Sequence, residues 1–158
     1  MFRSYKITVD DKNFRKELGE FKHKMPVVAR RMMSKVAQGI RKTTRQQNLR
    51  GGLLQKRSGT LYKSLTYKSK NDFTLYITAG AHYATTHEKG AVIEAKDSKY
   101  LTFQIGDEWK KVKSVTIPQR QFLWPVISEY FTTRKAESIM DAELQRQLEK
   151  FISKSKGN

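Results

Sequence analysis

Apolar residues recur along this chain with alternating and helical spacings, and the places where the spacing changes divide it into segments. Near the start, Tyr5, Ile7 and Val9 alternate with polar residues and predict a short extended stretch. Asp10 or Asp11 then caps a brief helix carrying Phe14, Leu18 and Phe21 on one side. Pro26 fits the first turn of a second helix, where its missing N–H is not needed, and that helix runs to about Gln47. Advancing about 100° per residue from Val28 gathers Val28, Ala29, Met32, Met33, Val36, Ala37 and Ile40 into one half of this helix. Arg30, Arg31, Lys35, Arg41, Lys42 and Arg45 fall in the other half. Folding the first half into a core turns the second, wholly cationic half outward.

Gly51–Gly52 and the polar residues that follow predict a flexible loop over about 48–59. Alternation then takes over. Leu65 and Tyr67, a turn at Asn71–Asp72, and Phe73, Leu75 and Ile77 read as one hairpin. Leu101, Phe103 and Ile105, a two-residue turn at Gly106–Asp107, and Trp109, Val112 and Val115 read as another, its period broken by a bulge near Lys111. Between them, Ala81 to Gly90 is a short helix or loop ended by glycine. From about Pro125 helical spacing returns and continues to Phe151 or Ile152, with Met140, Leu144, Leu148 and Phe151 as a core-facing or partner-facing stripe. Residues 153–158 are expected to form a disordered tail. The order helix, sheet, helix predicts a single α+β domain over 1–158: N-terminal helices, central antiparallel hairpins and a long C-terminal helix.

The chain has 158 residues, enough for one domain with a real core. A hydrophobic fraction of 37% with 11% aromatics is too rich for wholesale disorder. Cysteine is absent, which excludes disulfide scaffolds, thiolate metal sites and cysteine nucleophiles. Charge studs the first twenty residues and the longest apolar run is short, so neither a signal peptide nor a membrane span is expected, and the chain reads as cytoplasmic when made. The formal net charge is +17, and 14 of the 32 cations lie in residues 1–50. Such an excess suits either a solvated surface or proximity to a polyanion.

No catalytic constellation is expected. His82 and His87 are five apart, and His87-Glu88 lacks the second histidine of the zincin motif. His87, Glu88 and neighbouring lysines could serve a metal-independent nuclease, but no spacing pins a nucleophile, and a structural role for the pair is the simpler reading. Lys56 is followed by Arg57 and not by Ser or Thr, so Gly51–Gly52 is no phosphate loop. Neither a metal nor another cofactor is called for. The cationic helix face lacks a helix-turn-helix or zinc-finger context, and any contact with nucleic acid would be to phosphate and independent of sequence.

Three blocks of residues resemble a known family when taken in order. Ser58-Gly59-Thr60-Leu61 followed by Ser64 is the first, and Tyr83-Ala84 with His87-Glu88 and Gly90 is the second. Pro118-Gln119-Arg120-Gln121-Phe122-Leu123-Trp124-Pro125 is the third, with the strand pattern from Leu101 to Val115 between them. Together they are similar to the neck or tail-completion proteins of long-tailed double-stranded DNA bacteriophages, also called minor tail proteins. Gln119 and Gln121 stand where that family commonly has alanine and proline, and Lys56-Arg57 replaces a proline-containing approach. The virion morphogenesis proteins of contractile-tailed phages share a similar last block.

The resemblance implies a structural virion protein and not an enzyme. Its subunits would form a homo-oligomeric ring in the head–tail connector, around the DNA channel. Its partners would be the other neck, head-completion and tail-terminator proteins, with non-specific contact to genomic DNA and none to a membrane. The protein would be assembled in the host cytoplasm and end at the head–tail junction of the virion. The family-motif residues would be Gly59, Leu61, Ser64, Tyr83, Ala84, His87, Glu88, Gly90, Pro118, Arg120, Phe122, Leu123 and Pro125. The helix cations Arg30, Arg31, Lys35, Arg41, Lys42 and Arg45 would face DNA or a neighbour. Phe122 and Trp124 are expected to be buried anchors. The alternatives are a free sequence-independent nucleic-acid-binding protein and a small metal-independent nuclease.

Overall fold

The computed structural model describes residues 12–55, 58–72, 74–96 and 98–155. The expected extended start, its capping aspartate, the side chains of Phe14, Leu18 and Phe73, and Lys156–Asn158 lie outside that description. Within it the chain is α+β, as its spacing predicts. Helix α1 (Lys12–Thr43) leads through a π-helical turn (Thr44–Asn48) to helix α2 (Thr60–Ser64). Strands β1 (Leu65–Asn71) and β2 (Thr74–Ala79) follow, then helix α3 (Ala84–Lys89). Strands β3 (Ala91–Glu94), β4 (Leu101–Ile105), β5 (Glu108–Val112) and β6 (Ser114–Ile117) come next, and helices α4 (Trp124–Thr132) and α5 (Lys135–Ser155) close the order. No helix among the described residues is long and apolar enough to cross a membrane.

The two expected N-terminal helices are one. Pro26 lies inside α1 and does not begin a helix. An interior proline costs roughly 3 kcal/mol, because it removes a backbone hydrogen bond and crowds the preceding turn. Packing on both sides offsets that cost. The Phe21 ring meets Phe151 of α5 at 5.3 Å on one side of the proline, and Arg31 donates to Gln147 Oε1 at 2.8 Å on the other. Apolar spacing also runs through the proline in phase, from Phe21 to Val28, Val36 and Ile40. Val28, Val36, Ala37 and Ile40 are buried, so the apolar half of the helix does face inward.

The long C-terminal helix is, conversely, two. A break at Thr133–Arg134 separates α4 from α5, with Arg134 in the left-handed region at φ 55. Thr133 N–H donates to Glu129 O at 3.0 Å and its hydroxyl to the same carbonyl at 2.6 Å, which ends α4. Ser153–Ser155 belong to α5, so the helix extends into the expected tail. Along α5 the buried positions are Ala136, Glu143 and Gln147, while Met140, Leu144, Leu148 and Phe151 are only half buried. The seam between α1 and α5 is therefore partly polar.

Two apolar clusters form the core. The first joins Leu49, Leu54, Leu61, Leu65, Ala81, Ala84 and Phe122, and the second joins Val36, Ile40, Val126, Tyr130 and Ala136. Ile77 and Leu123 pack against both. Tyr130 is buried with its hydroxyl 2.9 Å from Thr43 Oγ1, so its polar end is matched. Leu49 and Leu54 in the first cluster anchor much of the loop expected to be flexible. Leu54 N–H donates to Asn48 O at 2.9 Å, and a Cβ on Gly52 would come within 1.8 Å of Gln47 O. Only glycine lets the chain double back so closely on the π turn.

The sheet is three separate two-stranded ribbons. β1 and β2 pair antiparallel with Tyr67 opposite Ile77, as the first hairpin predicts. The second hairpin forms between β4 and β5, with Ile105 opposite Glu108 across the Gly106–Asp107 turn. Its pairing runs through Lys111 to Val112, so the break comes at Lys113 and there is no bulge at Lys111. Val115 then belongs to β6, which pairs with β3, a strand the alternation at Ala91–Glu94 is too short to reveal.

Glu143 sets a pH limit on the α1–α5 seam. Arg146 donates two hydrogen bonds to it, at 2.7 and 3.0 Å, and Gln147 Nε2 donates a third at 2.7 Å. Its carboxyl is held below the ordinary carboxylate range, chiefly by the Arg146 hydrogen bonds, although burial pushes the other way. A carboxyl depressed on folding stabilises above its unfolded pKa, and that contribution is lost as pH falls through the folded value. Glu143→Gln should lower stability at pH 7 by about 1–2 kcal/mol, since the half-exposed Arg146 screens the pair. It should also flatten the loss of stability below about pH 4, read as urea midpoints across a pH series.

Candidate functional site

The three sequence blocks that carry the family resemblance come together around Phe122. α3 begins at Ala84, which is buried in the first cluster, and ends at Gly90 with φ 73. A Cβ on Gly90 would lie 3.0 Å from Gln119 N and 3.1 Å from Ile117 O, so glycine lets the second block touch the third. Arg120 N–H donates to His87 O at 2.7 Å, and Gln119 Nε2 donates to Glu88 O at 3.3 Å. The first block adds Leu61 to the cluster, and Ser64 Oγ donates to Leu61 O at 2.9 Å as α2 ends. Gly59 stands immediately before α2.

Glu88 is the clamp of this junction. Its Oε2 accepts the N–H groups of Phe122 at 3.0 Å and Leu123 at 3.1 Å, and its Oε1 accepts that of Trp124 at 2.8 Å. These amides have no partner inside α4, so a carboxylate from α3 does the work of a helix N-cap and sits at the favourable end of the α4 dipole. Pro125 lies in the first turn of α4, where its lack of an N–H costs nothing. Asn48, at the end of the π turn, donates from Nδ2 to Phe122 O at 2.7 Å. Phe122 is thus held at its N–H and its carbonyl, and its ring is 1% exposed. Trp124 is not the second anchor: it is 60% exposed, because the cap turns its backbone inward and leaves the indole outside.

Beside the junction lies a surface cleft of about 800 Å³. Leu49, Leu54 and Leu61 give it an apolar floor, and Tyr62, Tyr83, His87 and Arg120 stand at its sides. Tyr83 is packed edge-on by His82 at 5.0 Å and by His87 at 5.7 Å. His87 Nδ1 is buried with no hydrogen-bond partner. Among the described residues no group of three or more histidines and carboxylates is arranged to hold a metal ion. Pro118 and Arg120 are exposed at the foot of the β3–β6 ribbon.

The six cations of α1 and the π turn do not form one open face. Arg30 is paired with Asp72 at the β1–β2 turn. Arg31 bonds Gln147, and Arg41 lies over the Tyr67 ring at 5.2 Å. Arg45 donates to Tyr62 O and Leu65 O, both at 3.0 Å, and stacks on the Tyr62 ring at 4.8 Å. It therefore satisfies carbonyls where α2 hands over to β1. Lys35 and Lys42 are exposed, and the charge of Lys35 reaches Glu143. Helical spacing finds the shared face; it carries no sign of which arginines the hairpin and α5 then occupy.

Comparison with protein-family models, with curated proteins and with solved structures finds no match in any of the three.

Two substitutions separate clamp from surface. Glu88→Ala strands three amide donors and should cost about 2–3 kcal/mol in denaturant unfolding. Arg45→Ala should cost about 1–2 kcal/mol through the freed carbonyls, whereas Lys42→Ala should stay within about 0.5 kcal/mol of the parent.

Proposed function

We propose that this chain is a structural protein of the bacteriophage head–tail connector, assembling into a ring that completes the joint between head and tail around the DNA channel. The reading is carried by one observation: Glu88 of the second block caps the helix that the third block begins, so the residues of the resemblance form a single structural unit. A nuclease reading needs a free carboxylate at that position, and both oxygens of Glu88 are occupied by backbone amides. On this reading the protein is not an enzyme. Contact with DNA is confined to phosphate, is weak, and falls steeply with salt. Lys35 and Lys42 serve it better than the arginines, which the chain itself engages.

Disrupting the gene in the phage or prophage that carries it tests the proposal. Electron microscopy of the lysate should show DNA-filled heads and separate tails, and the chain supplied from a plasmid should restore joined particles. Infectious, complete virions without it would overturn the reading. So would nuclease activity in the purified chain that disappears with His87→Ala.

A further inference from the structure

Strands β3 to β6 build an arm, and the arm has no core of its own. None of the described residues from Thr85 to Gln121 is buried. Each ribbon still has an apolar face: Ala91, Ile93, Val115 and Ile117 on β3–β6, and Leu101, Phe103, Ile105 and Val112 on β4–β5. Two-stranded ribbons are marginal in water unless something packs against them. The exposure peaks at the tip, where Ile105 is 60% and Trp109 68% exposed. The register puts these two on opposite faces of the ribbon, so the tip is a wedge with apolar surface on both sides. Such a shape suits a cleft better than a flat surface. Between them lie Asp107 and Glu108, acids that oppose contact with phosphate and favour a basic partner.

We infer that the arm tip, Ile105–Trp109, docks into the cleft beside Phe122 on a second copy of this chain. The cleft has the complementary surface: leucines on its floor, Arg120 at its side, and Arg50 over the adjoining Tyr62 ring at 5.8 Å. The tip does not line the cleft of its own chain. The arm leaves the body at Gly90 and Pro118, next to that cleft, and eleven residues of extended ribbon carry the tip about 35 Å away. Every copy therefore offers one wedge and one empty cleft at separate places. That contact is head-to-tail and generates a ring when the rotation closes. It also sets acids against a basic surface, which a chain of net charge +17 needs before it can associate with itself. The inference rests on the assembly reading above and names the contact that would build the ring.

Because the chain has no cysteine, introduced thiols report only themselves. Asp107→Cys at the tip and Gln55→Cys at the cleft are made as separate proteins, mixed and mildly oxidised. A disulfide-linked dimer should form in the mixture and not in either protein alone. In parallel, Asp107→Lys with Glu108→Lys should weaken self-association at least tenfold by light scattering. The thermal midpoint should stay unchanged, since both residues are exposed. A parent chain that assembles while the mixture fails to cross-link and the charge-reversed variant assembles undiminished overturns the docking and leaves the assembly reading standing. A parent chain that stays monomeric at every concentration overturns the assembly reading and the docking with it.

Discussion

One carboxylate holds the fold together where it matters. Glu88 takes the amides that α4 leaves unpaired, and through them it fixes the position of Phe122, the side chain on which the first apolar cluster closes. Asn48 takes the carbonyl of the same residue from the opposite side. The π turn, α3 and α4 are far apart in sequence, and their mutual placement converges on that one peptide. Charge-assisted bonds in a partly buried setting are stronger than neutral ones, so the junction is stiff where a cluster of leucines alone would be plastic.

Acidic residues are scarce in this chain, and the few that matter are engaged internally. Asp72 pairs with Arg30, Glu88 caps α4, and Glu143 organises Arg146 and Gln147 along the α1–α5 seam. A polar seam between two helices adds little net stability over an apolar one, but it fixes their register, because a slip leaves a buried carboxylate without its donors. With these acids tied up, most of the cation excess has no counter-charge within the chain and remains as surface potential.

The sequence was legible where periodicity is strong and local. The β1–β2 hairpin, the Gly106–Asp107 turn, the buried half of α1 and the burial of Phe122 all follow from spacing and turn chemistry. It misled where a local rule met a tertiary override. Pro26 signals a helix start, but α5 packs across it and the helix runs on. No glycine marks the break before α5; Arg134 adopts the left-handed conformation instead. Trp124 was assigned by its chemistry to the interior, yet the cap that orders its backbone leaves its ring in water. The role of Glu88 was half visible: its adjacency to His87 suggested structure over catalysis, but nothing local shows that its partners lie more than thirty residues ahead. β3 was invisible because it is four residues long and its partner arrives only after another hairpin has formed.

The arm's attachment has a mechanical side. A pull on its tip runs along both strands, so it stretches two covalent backbones in parallel and does not peel the hydrogen-bonded ladder apart one rung at a time. That tension enters the body at Gly90 and Pro118, which flank the segment where Arg120 and Gln119 bond back to His87 and Glu88. The load therefore falls first on those cross-links and then on the three amides gripped by one carboxylate. The most compliant element of the molecule is thus tethered to its stiffest joint, an arrangement that lets the arm flex without disturbing the core beneath it.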